Sequence, residues 1–248
     1  MDFAGHVWLF AGAVFLLAGL VKGVIGMGLP TIAMGLLSLA VPPAQAAALL
    51  VIPSLVTNVW QLFAGPKFGA LIVRLWSMMA GVVIGTLAGA GILVSGTTGA
   101  ATVTLGAALV VYAVLGLAGA KFTVRRRHEP WLSPLVGAAT GLVTGATGVF
   151  VLPAVPYLQA IGLEKDELVQ GLGLSFTVST LALAAGLLRG DALHVAAVWM
   201  SLLSLVPALG GMLLGQVVRR RIAPPTFRLA FFAGLLLLGT YLALRQIA

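Results

Sequence analysis

The sequence predicts an all-α, polytopic membrane protein built from two related halves. Of its 248 residues, 60% are hydrophobic and only 8% are charged, whereas soluble domains carry about 25% charged residues. The mean hydropathy is +1.13. Glycine is abundant, with 32 residues, as is common in packed membrane helices. A Gly-rich motif that occurs once in each half supplies the third observation.

Several apolar segments reach the length of about 20 residues that a membrane-crossing helix needs. They cover residues 45–63, 70–94, 99–119, 168–188, 194–217 and 227–244. Two further regions, 6–41 and 132–162, are apolar but interrupted by a Gly-rich break followed by proline. Each region is too long for one helix and barely long enough for two. We therefore predict a pair of short, broken or re-entrant helices in each of them.

The two breaks are related in sequence. Gly19-Leu20-Val21-Lys22-Gly23-x-x-Gly26 recurs as Gly141-Leu142-Val143-Thr144-Gly145-x-x-Gly148. We predict a first membrane repeat over 1–120, a basic linker over 121–131 and a second repeat over 132–248. About five helical segments in each repeat would give the halves opposite orientations, which is the inverted-repeat plan of many transporters. The alternative is chance similarity between Gly-rich apolar stretches.

The net charge of +8 would suggest a nucleic-acid partner in a soluble protein. Here the basic residues cluster in short connections at 125–127 and 219–221, where they set orientation in the bilayer. We expect both clusters to be cytoplasmic and both termini to be extracytoplasmic, with no nucleic-acid partner. The first apolar segment has no basic region before it, so we interpret it as a retained helix and not as a signal peptide.

The two Gly-rich breaks are the first candidates for a binding site. A break leaves backbone N–H groups that lipid cannot satisfy, and the N-terminus of the following helix favours an anion. Glycine also allows the backbone to approach a ligand closely. We expect the two breaks to meet near the membrane midplane and to bind an oxyanion. The candidate glycines are Gly23, Gly26, Gly28, Gly145 and Gly148. The alternative is that they only permit tight helix packing.

Polar side chains near the breaks extend the candidate site. Lys22 lies within the first break, where it could supply positive charge or could instead reach the cytoplasmic surface. Its counterpart is Thr144. Two other predicted helices contribute hydroxyls and an amide. These groups can donate hydrogen bonds to an oxyanion or form hydrogen bonds between helices. These candidates are Ser54, Thr57 and Asn58 on the first helix, and Ser175 and Ser179 on the second.

The distribution of ionisable residues argues against other functions. The six acidic residues all fall at segment ends or in loops, so a cation pump or a carboxylate proton relay is poorly supported. The chain has no cysteine, the histidines do not have metal-ligand spacing, and no nucleotide-binding or nucleophile motif occurs. We expect no metal, no cofactor and no catalytic site. A membrane-embedded enzyme would need His, Asp or Glu clustered at one membrane level.

The Gly-rich motif from Gly19 to Pro30, and its second copy from Gly141 to Pro153, resembles the signature of the sulfite exporter TauE/SafE family. The resemblance covers the length, the duplication and the basic linker. It implies a bacterial inner-membrane protein that moves sulfite, sulfonates or related sulfur-containing anions. The second copy departs from the motif at Val149-Phe150, which predicts unequal half-sites. Our expectation is a transporter for a small anion, and the alternative is a channel for anions or small solutes.

Overall fold

The long apolar segments form single helices in the computed structural model, which describes residues 5–95, 98–119, 122–221 and 224–245. Within these ranges there are helices and no strand. The helices are α1 (Gly5–Ile25), α2 (Leu29–Leu37), α3 (Pro43–Phe63), α4 (Phe68–Ser95), α5 (Thr98–Ala118), α6 (Glu129–Thr147), α7 (Ala154–Ala160), α8 (Lys165–Arg189), α9 (Val195–Arg219) and α10 (Pro224–Leu244).

Seven helices of the described chain are long and apolar enough to cross a membrane: α1, α3, α4, α5, α8, α9 and α10. Their outer faces carry exposed apolar side chains, such as Val73, Trp60 and Leu237, as lipid contact requires. The predicted all-α, multi-span fold is confirmed. The inverted orientation of the two halves stays a prediction.

Both interrupted regions divide into helix pairs, as predicted. In the first, α1 is followed by two glycines with positive φ, Gly26 at 78° and Gly28 at 101°, a conformation that other residues rarely adopt. In the second, α6 is followed by Gly148, whose φ is 71°. The following helices are short, with 9 residues in α2 and 7 in α7. At 1.5 Å per residue, either spans less than half of a hydrocarbon core of about 30 Å.

Close helix pairs join one half of the chain to the other. The strongest pairs are α1 with α9 and α4 with α6, followed by α5 with α10 and α3 with α8. In chain order, α1 to α5 of the first half correspond to α6 to α10 of the second. The counterpart of the α1–α9 pair is therefore the α4–α6 pair. The α5–α10 and α3–α8 pairs each join a helix to its own counterpart. The centre of the molecule is therefore an interface between the halves.

Glycines allow the α1–α9 and α4–α6 pairs to approach at backbone distance. A Cβ atom added at Gly23 would lie 2.2 Å from the carbonyl oxygen of Met212, and one at Gly145 would lie 2.3 Å from that of Thr86. On α4, a Cβ at Gly85 would lie 2.2 Å from the carbonyl oxygen of Ala138. Small residues at such crossings permit close packing in lipid. Gly23 and Gly145, two of the candidate site glycines, thus have a packing role.

An ion pair connects the basic end of α4 to the second half. Arg74 donates to Glu129 through Nε at 2.9 Å and Nη2 at 2.8 Å, and Nη2 also donates to the Ile161 carbonyl oxygen at 2.8 Å. Glu129 is in the first turn of α6, where a carboxylate is favoured by the helix dipole. Helix α6 therefore begins earlier than residue 132, where the second repeat was predicted to start.

The buried side chain of Gln170 on α8 forms hydrogen bonds with backbone groups at the C-terminal end of α3. Its Nε2 donates to the carbonyl oxygens of Leu62 at 2.8 Å and Gly65 at 2.9 Å, and its Oε1 accepts the Lys67 N–H at 2.8 Å. Leu62 lies in the last turn of α3 and Gly65 just after it, where a helix leaves acceptors unpaired. Gln170 thereby holds α3 and α8 together near one end.

Candidate functional site

Lys22 lies in the last turn of α1 and points into the protein. Its residue exposure is only 4%, and its Nζ donates a hydrogen bond to Oδ1 of Asn58 on α3. The side chain therefore does not reach the membrane surface, which was the alternative interpretation of this lysine. The close α1–α9 packing through Gly19 and Gly23 fixes the last turns of α1, so it also orients Lys22.

Asn58 links Lys22 to the second half of the chain. Its Nδ2 donates to Oγ1 of Thr180 on α8 at 3.5 Å, while the Thr180 hydroxyl donates to the Phe176 carbonyl oxygen at 2.7 Å. Asn58 and Thr180 are both fully buried. A polar chain of ammonium, amide and hydroxyl thus crosses from α1 through α3 to α8. The sequence placed Thr180 beside the candidate serines, but only the fold assigns it a role.

The positive charge of Lys22 has no carboxylate partner in the described part of the chain. The ion pairs there join Lys67 to Glu167 and Arg74 to Glu129, both away from α1. Burying a charge without a counter-charge is costly. An ammonium also has three N–H donors, and the amide of Asn58 can satisfy only part of that capacity. The site is therefore chemically suited to a negative ligand.

Several buried hydroxyls in the described chain have no hydrogen-bond partner, and four of them lie elsewhere in the fold: Thr31, Ser38, Thr86 and Thr140. On α3 and α8 they are Ser54, Ser175 and Ser179, all at 0% exposure. Ser54 lies one turn before Asn58, and Ser175 and Ser179 lie one turn apart on one face of α8. Buried polar atoms are normally paired, so unpaired ones indicate a functional role or an unseen partner. Three of the sequence candidates therefore retain free donors.

Two other candidates are already satisfied by their own helices. The hydroxyl of Thr57 donates to the Pro53 carbonyl oxygen at 2.7 Å, and that of Thr144 donates to the Thr140 carbonyl oxygen at 2.7 Å. Both side chains are buried. Thr144 occupies the position equivalent to Lys22, so the second half supplies no matching charge.

The two breaks differ in their surroundings. A Cβ atom at Gly26 would meet nothing within 4 Å, whereas one at Gly148 would lie 2.9 Å from the Met34 side chain. The residues after Gly148, from Val149 to Val151, have 0% exposure. The hydroxyl of Thr147 accepts the Val149 N–H at 3.1 Å, so one of the backbone donors exposed by this break is already paired.

Direct contact between the two breaks stays a prediction. None of the close helix pairs in the described ranges joins α1 or α2 to α6 or α7. Helices α3 and α8 contact each other across the two halves, and the side chain of Met34 on α2 reaches Gly148. The broken helices are each packed against their own central helix because α2 contacts α3 and α7 contacts α8. The polar centre is consequently built around α3 and α8, with Lys22 added from the first break.

Comparisons with known proteins support one family. The described residues contain no group of three His, Cys, Asp or Glu that could hold a metal ion. Searches of curated proteins and of solved structures gave no match. A model of the sulfite exporter TauE/SafE family matches residues 11–242, which is nearly the whole chain. This multi-pass membrane protein belongs to the sulfite exporter TauE/SafE family, a family of membrane transporters.

Proposed function

We propose that the protein is a secondary carrier for a small anion, with sulfite, an organosulfonate or a related sulfur-containing oxyanion as its substrate, in a bacterial inner membrane. The observation that carries the proposal is the burial of Lys22 without a carboxylate partner in the described chain. In this interpretation the substrate supplies the missing negative charge. Family membership supports an exporter-type permease for such anions.

The donors around Lys22 suit an oxyanion. An anion that enters would replace Oδ1 of Asn58 as the acceptor for the ammonium. In this proposal the free hydroxyls of Ser54, one turn before Asn58, and of Ser175 and Ser179 on α8 donate to further oxygens of the same ligand. A cation would find an ammonium and no carboxylate in this centre, so its binding is unfavourable. Sulfite and sulfonate groups present three oxygens, which can accept from several such donors together.

Closure of the centre favours a carrier over a channel. Lys22 is 4% exposed and Asn58 is 0% exposed, so water does not reach the polar centre in this conformation. A conducting channel needs a continuous path for its ion. A carrier alternates between states, and movement of one repeat against the other can open a site at their interface. Here the contact of α3 with α8 lies at that interface.

Transport in proteoliposomes tests the proposal. The purified protein should take up sulfite or a short alkanesulfonate with saturation, and excess unlabelled substrate should compete. Lys22→Met keeps the length of the side chain and removes its charge. Because a hydrogen bond to a charged group contributes about 1.5–3 kcal/mol, we expect the half-saturating concentration to rise about 10- to 100-fold. Lys67→Met is the matched control, since Lys67 lies in a loop and its side chain is 56% exposed.

Three outcomes would contradict parts of this proposal. Flux that does not saturate would indicate a channel. Equal and small effects of Lys22→Met and Lys67→Met would remove Lys22 from the binding centre. Uptake of cations with no uptake of anions would overturn the assignment of substrate charge.

A further inference from the structure

A cavity of about 480 Å³ opens beside the first break and is separate from the Lys22 centre. Its lining comes from both halves: the end of α1 and the break (Val24, Met27), the end of α5, helix α7, the last residue of α9 and the start of α10. The volume lies within the range of about 300–1,000 Å³ that is typical of small-molecule sites. We call it the basic vestibule.

Two arginines from different helices line the basic vestibule, and no Asp or Glu is among its described lining residues. Arg219 ends α9, and Arg228 lies near the start of α10. Arg228 is held in place because its Nη2 donates to the Gly116 carbonyl oxygen at 3.1 Å and its Cζ lies 6.0 Å from the centre of the Phe232 ring. Neither arginine belongs to an ion pair of the described residues. Guanidinium groups bind oxyanions through parallel N–H donors.

Neutral donors and apolar walls complete the vestibule. The amide of Gln159 lines it, and so does Tyr112, whose hydroxyl donates to the Met27 sulfur at 3.3 Å. A thioether is a weak acceptor, so this hydroxyl can exchange it for a ligand oxygen at little cost. The apolar walls provided by Val24 and Phe232 can accommodate an organic substituent next to a charged group.

The break residues that line the vestibule begin about one helical turn after Lys22 in the chain. The Gly26 N–H donates to the Lys22 carbonyl oxygen at 2.8 Å. Met27 follows and is flanked by Gly26 and Gly28, both with positive φ. Glycines permit the backbone here to change conformation more easily than other residues would. Met27, which lines the vestibule, follows Lys22 by five residues.

We propose that the basic vestibule is a second anion-binding site, in which Arg219 and Arg228 hold an oxyanion group at the membrane face predicted to be cytoplasmic. Binding in the vestibule follows from its own lining. Passage of the bound anion past Met27 to Lys22 rests on the proposed function. The same oxyanion chemistry is offered by a soluble sulfonate and by the phosphate of an anionic lipid, and the experiment separates these two sources.

The test measures binding to the full-length protein in nanodiscs. Discs of phosphatidylcholine receive a radiolabelled short alkanesulfonate, and discs that also contain phosphatidylglycerol are analysed for bound lipid without added sulfonate. The variant Arg219→Gln/Arg228→Gln removes both charges. Arg245→Gln is the matched control, because Arg245 is also exposed and, like Arg228, donates to a carbonyl oxygen, that of Leu39 at 3.3 Å, but lies after the other end of α10. Thermal melting checks that each variant is folded.

In phosphatidylcholine discs, we expect two sulfonates to bind per chain. The double variant should lose one of them, with affinity at that site reduced at least 10-fold, and Lys22→Met should lose the other. If the arginine-dependent ligand is found only in discs with phosphatidylglycerol, the site exists and its occupant is a lipid headgroup. Unchanged sulfonate and lipid binding in the folded double variant would overturn the proposal. Failure of Lys22→Met alone to change binding would count against the proposed function and leave the vestibule site standing.

Discussion

Replacing Asn58 by Asp provides the sharpest test of the Lys22 centre. The two side chains have nearly the same shape, so the change replaces a neutral acceptor for Lys22 by a carboxylate. The ammonium would then have an internal counter-ion, and a substrate anion would have to enter beside a like charge. We therefore expect Asn58→Asp to bind the anion much more weakly while folding normally, since Asn58 already accepts from a cation.

The size of this effect follows from Coulomb's law. Two like unit charges about 4 Å apart repel by about 4 kcal/mol at an effective dielectric constant of about 20. An affinity change of about 1.4 kcal/mol is tenfold, so the loss approaches about a thousandfold. The weak bond from Asn58 to Thr180, at 3.5 Å, contributes little to this estimate.

Equilibrium binding of labelled sulfite or alkanesulfonate to protein in neutral-lipid nanodiscs measures the change. Gln45→Glu is the control, because it makes the same amide-to-carboxylate replacement in the first turn of α3, away from the centre. A folded Asn58→Asp protein whose affinity stays within threefold of the unmodified protein would refute the role assigned to Lys22. Equal losses in both variants would assign the effect to net charge and not to this site.

Two further predictions concern stability. Gly141→Val should prevent correct packing of α4 on α6, because a Cβ atom there would lie 2.3 Å from the Val82 carbonyl oxygen; Gly12→Ala, with nothing within 4 Å, should fold normally in the same thermal melting assay. Gln170→Leu should lower the free energy of unfolding by about 1–3 kcal/mol in detergent, since it leaves buried carbonyls such as that of Leu62 without a donor.

A contrary result for either variant would refute one particular contact. A Gly141→Val protein that melts like the unmodified chain would show that α4 and α6 do not pack at backbone distance. If Gln170→Leu melts at the unmodified temperature, the end of α3 must have its acceptors satisfied in another way. Substrate binding by the folded fraction of each variant should be unchanged, because neither residue contacts Lys22 or Asn58.

The membrane-spanning helices could be predicted from the sequence because lipid requires every helix that crosses it to be long and apolar. The predicted segment 194–217 corresponds to helix Val195–Arg219, and 70–94 corresponds to Phe68–Ser95. The helix breaks could be predicted because Gly-rich runs precede Pro30 and Pro153. Gly26, Gly28 and Gly148 in these runs adopt positive φ. The four-residue spacing of Gly81, Gly85 and Gly89 places them on one face of α4, and that face packs on the backbone of α6.

The site could be predicted only as a set of candidates. Ser175 and Thr177 lie on the same helix, yet the first has no partner and the second donates to the Gly173 carbonyl oxygen. Gly23 and Gly26 belong to one motif, yet the first packs on Met212 and the second faces open space. Sequence spacing places such residues on a helix but does not state which helix faces them.

The sequence by itself determined the membrane class, the helical segments and the presence of a lysine at a helix break, because each depends on local composition and on the solvent, while the duplication stays a prediction. The tertiary structure alone decided that Lys22 turns inward to Asn58, that Asn58 on α3 bonds to Thr180 on α8, and that Arg219 and Arg228 share one cavity. Those facts depend on contacts between residues far apart in the chain, and helix packing across the two halves creates them.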